Sequence, residues 1–371
     1  MKNICFIDWD FSFVGGIESV IKALSFEFSK KYNVHVISIN NENKKLGAKL
    51  PDCVKYVAIN NGTNRIRNAC LKSFFPLLKY IRKNKIDIVF CMGHYTVPVL
   101  IPVSKFSKAK FIFCDHGAIA NQLEDSVITG FRKSSSNNFY KVVTLTERNR
   151  EDYIEMFNAD PKKIICIPNW VDNEIFNHVG EYNLDSKKII SVGRFGKEKG
   201  YDMLVDIADI VLKKHPDWQW DIYGNGETFE DTKEKIKEHG LENNLNLMGS
   251  VNDIYDRYKD YAIFVLPSYR EGLPLVLLEA KANHLPIVSF DCITGPREII
   301  TDGIDGFLVD CYNIEEMAEN ISALIENDEF REQISYNSSN NLEKFDKQKI
   351  LEQWINLIEY ILNGEPNEKM R

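Results

Sequence analysis

Short unbroken runs of apolar residues alternate along the chain with stretches whose apolar residues recur at helical spacing. The first half contains "NICFID", "VHVISI", "DIVFCM", "KFIFCD", "KVVTLT" and "KIICIP". The second contains "KIISVGR", "WQWDIYG", "LNLMGS", "YAIFVLP", "LPIVSF" and "GFLV". Such runs, rich in Val, Ile and Phe, predict strands buried on both faces. "GIESVIKALSFEFSKKY", which follows the first of them, has the spacing of an amphipathic helix. Strand–helix alternation of this kind predicts parallel sheets covered by helices, an α/β protein. At 371 residues the chain exceeds the size at which one core keeps growing, so two doubly wound domains are expected. The polar stretch "NHVGEYNLDSKK" (177–188) is the expected linker, giving domains 1–180 and 181–345. The amphipathic "KQKILEQWINLIEYIL" predicts one final helix within 346–371, crossing back to the first domain.

Charge adds an asymmetry. The chain carries −8 at pH 7, which argues against a nucleic-acid binder. Residues 1–180 hold 25 Lys and Arg against 17 Asp and Glu, while the remainder hold 21 against 37. A basic half and an acidic half suggest different partners. The start, "MKNICFIDWD", turns acidic too soon for a signal peptide. No run approaches the ~18 apolar residues of a membrane span, so a cytoplasmic location is expected. Of the eight cysteines, Cys5, Cys91, Cys114 and Cys166 lie in strand-like runs, and none forms a C-x-x-C pair. Reduced thiols packed as small hydrophobes are expected rather than a zinc or redox site.

Two stretches carry candidate chemistry. In "SVGRFGKEKGYDMLVDIADIV" a strand ends at Gly193, a loop carries Arg194 and Lys199, and a helix begins near Gly200. Loop glycines admit a ligand close to the backbone, and a helix N-terminus favours anions. The fork of Arg194 and the point charge of Lys199 suit phosphate oxygens. Alone, the same residues would make a solvated basic turn, and the glycine spacing matches neither a dinucleotide fingerprint nor a P-loop. In "PSYREGLPLVLLEA" (267–280), Glu271 follows a strand and Glu279 lies inside the next helix. That helix would run from about Leu273, with Pro274 at its first position. Acids seldom sit in such apolar surroundings unpaired. Carboxylates accept from sugar and ribose hydroxyls, and the amides of Gly272 and Leu273 can meet phosphate or hydroxyl oxygens, which suits a nucleotide sugar. Without a ligand, the two would be a loop acid and a helix-face acid.

Seven residues separate Glu271 from Glu279, and this E-x7-E spacing resembles that of the retaining GT-B glycosyltransferases of family four, the group 1 type. "GRFGKEKG" looks like their phosphate loop, "YGNGE" like their glycine turn, and "TGPREIITDGIDGFLV" like their segment after E-x7-E. Upstream, "VGGIE" (14–18), "DHG" (115–117) and "IPNWVD" (167–172) resemble their double-glycine, histidine and asparagine segments, in the same order over nearly the whole chain. The resemblance implies a GT-B architecture, with two Rossmann-like domains facing each other across a cleft. It implies that Arg194 and Lys199 bind the donor diphosphate, and that Glu271 touches the donor sugar beside Gly272, Leu273 and Pro274. Glu279 would hold the ribose, Gly224 and Gly226 would let the chain pass near the nucleotide, and backbone from Gly249 to Val251 would meet the base. His116 would contact the donor sugar, while Gly15 and Gly16 would border the phosphate and acceptor side. His94, after another strand, could also line the cleft on the acceptor side. For Gly15, Gly16 and His116 taken singly, a turn before a helix and a satisfied core histidine are the better readings.

The chain departs from the family in two places. Thr294 and Gly295 stand where two glycines are usual, and the loop "DWDFSFV" (8–14) is longer and more aromatic. Asp8-Trp9-Asp10 mimics a metal motif that belongs to a different glycosyltransferase fold, so a polar acceptor loop is expected and no metal. The implied reaction moves a hexose or N-acetylhexosamine from a UDP-sugar to a glycan or lipid-linked acceptor, with retention and with no cofactor. A catalytically silent partner subunit and a sugar-nucleotide epimerase on the same scaffold are the alternatives. No acidic residue falls between Asp52 and Asp87, whereas basic residues crowd 65–85 and interleave with "FFPLLKYI". That segment is either an amphipathic core helix with a basic face or a dock for an anionic membrane surface.

Overall fold

The computed structural model describes residues 1–13, 15–44, 46–62 and 65–364, with the side chain of Asn121 left aside. Val14, at the head of the "VGGIE" stretch, lies outside the described residues. The chain divides into two compact units: Met1–Pro168 with the segment from Ile350 onward, and Asn169–Lys349.

The first unit is built on seven strands: β1 (Asn3–Asp10), β2 (Asn33–Asn40), β3 (Lys55–Ala58), β4 (Ile88–Met92), β5 (Lys110–Asp115), β6 (Lys141–Thr144) and β7 (Ile164–Cys166). They form one parallel sheet in the order β3-β2-β1-β4-β5-β6-β7. The order reverses between β1 and β4, the switch point at which doubly wound sheets open a crevice beyond their strand ends. Every residue of β4 is buried, as strands covered on both faces require. β3 lies outside the runs that predicted strands. At the sheet edge, Lys55 is exposed and the other three residues are only half-buried, so they show no apolar run.

The second unit has six strands: β8 (Lys188–Val192), β9 (Gln219–Tyr223), β10 (Leu245–Gly249), β11 (Ile263–Leu266), β12 (Ile287–Phe290) and β13 (Phe307–Val309). They too are all parallel, in the order β10-β9-β8-β11-β12-β13, with the switch point between β8 and β11.

The passage between units falls at Pro168–Asn169 rather than in 177–188. The polar segment is tied into the second unit: the Tyr182 hydroxyl donates to the Ala262 carbonyl, Ser186 donates to that of Asp260, and Arg331 donates to that of Leu184. Its polarity marks a surface path, not a free connector. The final helix, Lys347–Asn363, joins the first unit from Ile350 onward. Trp354 packs edge-on against Phe28 and Phe90 there, and Ile350, Ile358 and Ile361 are buried with it. Among the described residues no helix is long and apolar enough to cross a membrane.

Candidate active site

In the second unit, the loops after β8 and β9 run side by side. The Gly193 N–H donates to the Tyr223 carbonyl and the Phe195 N–H to that of Asn225, both at 3.0 Å. This contact decides what Gly224 and Gly226 are for. Gly224 has φ +143°, and a Cβ there would lie 1.8 Å from the Gly193 oxygen. At Gly226 a Cβ would lie 2.5 Å from the Phe195 oxygen. Both glycines are thus required by the neighbouring backbone before any nucleotide arrives. The Gly224 N–H also donates to the Gly249 carbonyl at 2.9 Å, which brings the Gly249–Val251 segment beside the same turn.

The basic loop continues through a 3-10 turn, Lys197–Lys199, into the helix Tyr201–Lys214. From this turn Lys199 donates to Glu271 Oε1 at 2.7 Å, joining residues 72 positions apart. Glu271 is buried and Lys199 largely so. Arg194 is exposed and pairs instead with Glu198 at 2.8 Å. Burial alone would push the Glu198 carboxyl up, but backbone hydrogen bonding and Arg194 hold it below the usual range. Glu198 stands at i+4 from Arg194, a spacing visible in the sequence alone.

Glu271 is held by its backbone as well as by its side chain. Thr294 donates from its hydroxyl to the Glu271 carbonyl at 2.7 Å, and Gly295, at φ +99°, brings its backbone against Gly272 and Pro274. The threonine that departs from the family pattern therefore anchors the loop that carries Glu271. The following helix spans Leu275–Ala282, with Pro274 as its extended N-cap rather than its first residue. Its ψ of 107° lies outside the helical range, so the helix starts later than expected. Glu279 accepts from the buried Tyr258 hydroxyl at 2.6 Å. Burial raises its carboxyl to about 7, against the lowering effect of that hydrogen bond and with a further push from Asp172. Tyr258 gave no signal in the sequence.

In the first unit, His94 follows β4 and His116 follows β5. The Nε2 atom of each is buried without a hydrogen-bond partner among the described residues. Burial lowers both imidazoles to about 4, with Arg132 adding to the effect on His94. Both rings are therefore neutral near pH 7, suited to a hydrogen bond and not to carrying charge. The His116 loop rests on a buried ion pair, Arg132 Nε to Asp115 Oδ2 at 2.8 Å. Asp115 also accepts from Tyr153 at 2.9 Å and from the Gly117 N–H at 3.1 Å.

Gly15 caps the helix Gly16–Phe28 with extended backbone, which any residue could adopt, and a Cβ at Gly16 would meet nothing. The Asp10 carboxylate accepts from the amide and hydroxyl of Ser12 and from the Glu42 amide, so it shapes its own loop. Asp8 is buried, and burial first, then the charge of Glu18, raises it to about 8. Among the described residues no group of three or more His, Cys, Asp or Glu side chains is arranged to hold a metal ion.

Two doubly wound domains, one with a cation–carboxylate pair and glycine turns at the carboxyl ends of its strands, make this a GT-B protein. The chain belongs to the group 1, family-four glycosyltransferases: Glycosyltransferase Family 4 matches residues 14–175 and Glycosyl transferases group 1 matches residues 172–341. Among its relatives, a glycosyltransferase of Haemophilus influenzae is 37% identical over 58% of this chain and 60% of its own. The poly(ribitol-phosphate) alpha-N-acetylglucosaminyltransferase of Staphylococcus aureus is 29% identical over 81% of this chain and 61% of its own. The chain thus spans about three fifths of the length of both. A crystal structure of S. aureus TarM, in a complex that includes UDP, superposes with a TM-score of 0.82 at 18% identity, over 96% of this chain and 99% of that one.

Proposed function

We propose that the chain transfers a hexose or N-acetylhexosamine from a UDP-sugar to a glycan or lipid-linked acceptor, retaining the anomeric configuration and needing no metal. The observation that carries this reading is the Lys199–Glu271 pair, set between the basic loop and the E-x7-E segment. The sugar–phosphate bond breaks, the acceptor oxygen bonds to the anomeric carbon from the same face, and the departing phosphate takes the acceptor proton. Lys199 and Arg194 meet the charge that develops on the diphosphate, while Glu271 accepts from donor-sugar hydroxyls and Glu279 from the ribose. His116, neutral, serves as a hydrogen-bonding group. The S. aureus relative that acts on a poly(ribitol-phosphate) acceptor, and the UDP in the TarM complex, support the donor and acceptor classes.

The test is UDP release from a panel of UDP-sugars, with and without glycan and lipid-linked acceptors. Acceptor-dependent release that EDTA leaves unchanged is expected. Strong inhibition by EDTA, reversed by manganese, would overturn the metal-free part. An altered sugar formed without acceptor would replace transfer by epimerisation.

Glu279 gives this reading a pH signature. Its folded pKa, about 7, lies above the ordinary 4.5, so its contribution to stability is full below 4.5 and lost as pH rises through 7. Ribose hydroxyls prefer the carboxylate, so UDP affinity should rise about tenfold between pH 6 and 8. Calorimetry on Glu279→Gln, which subtracts the nucleotide's own titration, should show that rise removed. An identical pH profile in both proteins would cancel the ribose role.

Membrane docking belongs to the same proposal. The helix Ile66–Lys83 buries Leu77, Leu78 and Ile81 but leaves Leu71 and Phe75 73% and 75% exposed. Phe106 is also exposed, and its ring and that of Phe75 both pack edge-on against Phe74. Lys72, Lys79, Lys83 and Lys85 are exposed along the same segment. Apolar rings ringed by lysines fit an anionic lipid surface, at about 1 kcal/mol per basic residue. Vesicles containing phosphatidylglycerol should sediment the protein and neutral vesicles should not. Changing Lys72, Lys79 and Lys83 to Glu should abolish the difference; equal recovery on both lipids would remove the idea.

A further inference from the structure

Two cysteines stand just past the carboxyl ends of β12 and β13. These strands pair in parallel with Phe290 opposite Val309, and the Asp291 N–H donates to the Val309 carbonyl at 2.7 Å. Two residues beyond that register come Cys292 and Cys311. Their thiols are neighbours, close enough for each to shift the other's titration. Adjacent strands set opposed Cα atoms about 5 Å apart, within the span of a disulfide. Cys292 is buried, while Cys311 is half-buried and open to solvent on one side. The next residue, Tyr312, has φ +73°, a left-handed conformation uncommon for a bulky side chain. The nearness of Cys292 holds the Cys311 thiol below its usual range, and that of Cys311, with burial, holds Cys292 above it. Cys311 is thus the partner that supplies a thiolate.

The pair abuts the loop that carries Glu271. Cys292 Sγ lies 3.0 Å from the Ser268 carbonyl oxygen, and Thr294, two residues on, holds the Glu271 carbonyl. The Tyr312 ring packs against Tyr269, with centroids 5.5 Å apart. The Ser268 hydroxyl is buried without a partner among the described residues, and the Tyr269 N–H beside it donates to the Glu198 carbonyl at 3.1 Å, so the same stretch also touches the basic loop. We propose that Cys292 and Cys311 form a reversible disulfide on exposure to peroxide, and that this bond disables the Glu271 loop.

The Cys311 thiolate attacks one peroxide oxygen, the O–O bond breaks, and hydroxide leaves to be protonated as water. The Cys292 sulfur then attacks the resulting sulfenic sulfur, the S–O bond breaks, and a second water departs. Two thiols are oxidised and one peroxide is reduced. The new bond draws Cys292 Sγ away from the Ser268 carbonyl, which loses its hydrogen-bond donor.

The activity readout rests on the function proposed above; the chemical readout does not. The full chain is treated with hydrogen peroxide, digested and mapped, and its UDP thermal shift and acceptor-dependent turnover are measured before and after. The expected result is a 292–311 cross-link that lacks two hydrogens, a smaller UDP shift and about tenfold lower turnover, all reversed by dithiothreitol. Cys311→Ser should keep its basal activity and UDP shift and lose the response to peroxide. Two thiols that still alkylate after the exposed Cys53 has been oxidised would overturn the proposal. So would a linked protein whose UDP shift and turnover match those of the untreated one. Turnover absent under every condition, with the link mapped and the UDP shift reduced, would count against the transferase reading while supporting the switch.

Discussion

Lys199→Ala is expected to lower turnover about a hundredfold or more, the usual cost of removing one charge partner of a transition state. Its ammonium is placed by backbone that has no slack. Gly200 follows at φ +65°, where a Cβ would lie 2.2 Å from the Pro267 carbonyl oxygen. Arg194 cannot take over, because it stands exposed and paired with Glu198. Removing the lysine also leaves the buried Glu271 carboxylate without its cation, in the place proposed for a diphosphate. The two losses act in the same direction: less attraction for the leaving group and more repulsion of it. Glu271→Gln should separate them, weakening sugar-dependent turnover while UDP still binds. Initial rates and UDP calorimetry on both variants decide the matter, and full activity in Lys199→Ala would show that the site is wrongly assigned.

Arg132→Met should destabilise the first unit by about 3–5 kcal/mol, since it strands a buried carboxylate. Arg132 and Asp115 are almost wholly inaccessible, and their second contact, Nη2 to Oδ1, measures 3.2 Å. Arg132 also donates to Gln122 at 2.6 Å. Burial would raise the Asp115 carboxyl, but the charge and hydrogen bonds of Arg132, with those of Tyr153 and Gly117, bring it below its ordinary value. A depressed carboxylate stabilises above its unfolded pKa, near 3.8, and loses that contribution as pH falls through the folded value. The variant should therefore show a lower urea midpoint at neutral pH and a smaller further loss on acidification. A midpoint within experimental error of the parent would mean that the pair contributes nothing net.

The strands were legible because burial on both faces writes itself as unbroken apolar runs, as in β4 and β11. β3 escaped because none of its four residues is buried, so no apolar run marks it. The segment 177–188 shows the limit of polarity as a signal, since it reports exposure and not attachment. At the site, residue spacing exposed Glu271 and Glu279 but not what holds them. Tyr258 and Thr294 reach them through the tertiary fold, and the partner of Lys199 is 72 residues away. Gly224 and Gly226 were visible as glycines, yet the reason lies in the Gly193–Phe195 backbone, which no local pattern reveals.

The return of the final helix to the first unit sets an order of events during synthesis. Residues 1–168 emerge first, yet Phe28 and Phe90 lack their Trp354 cover until the segment from Ile350 has been made. The whole of Asn169–Lys349, a contiguous unit with its own sheet, is complete before that happens. Contacts separated by so much chain form slowly, and apolar surface left waiting is where chains associate wrongly. The domain that begins first is therefore the one that finishes last.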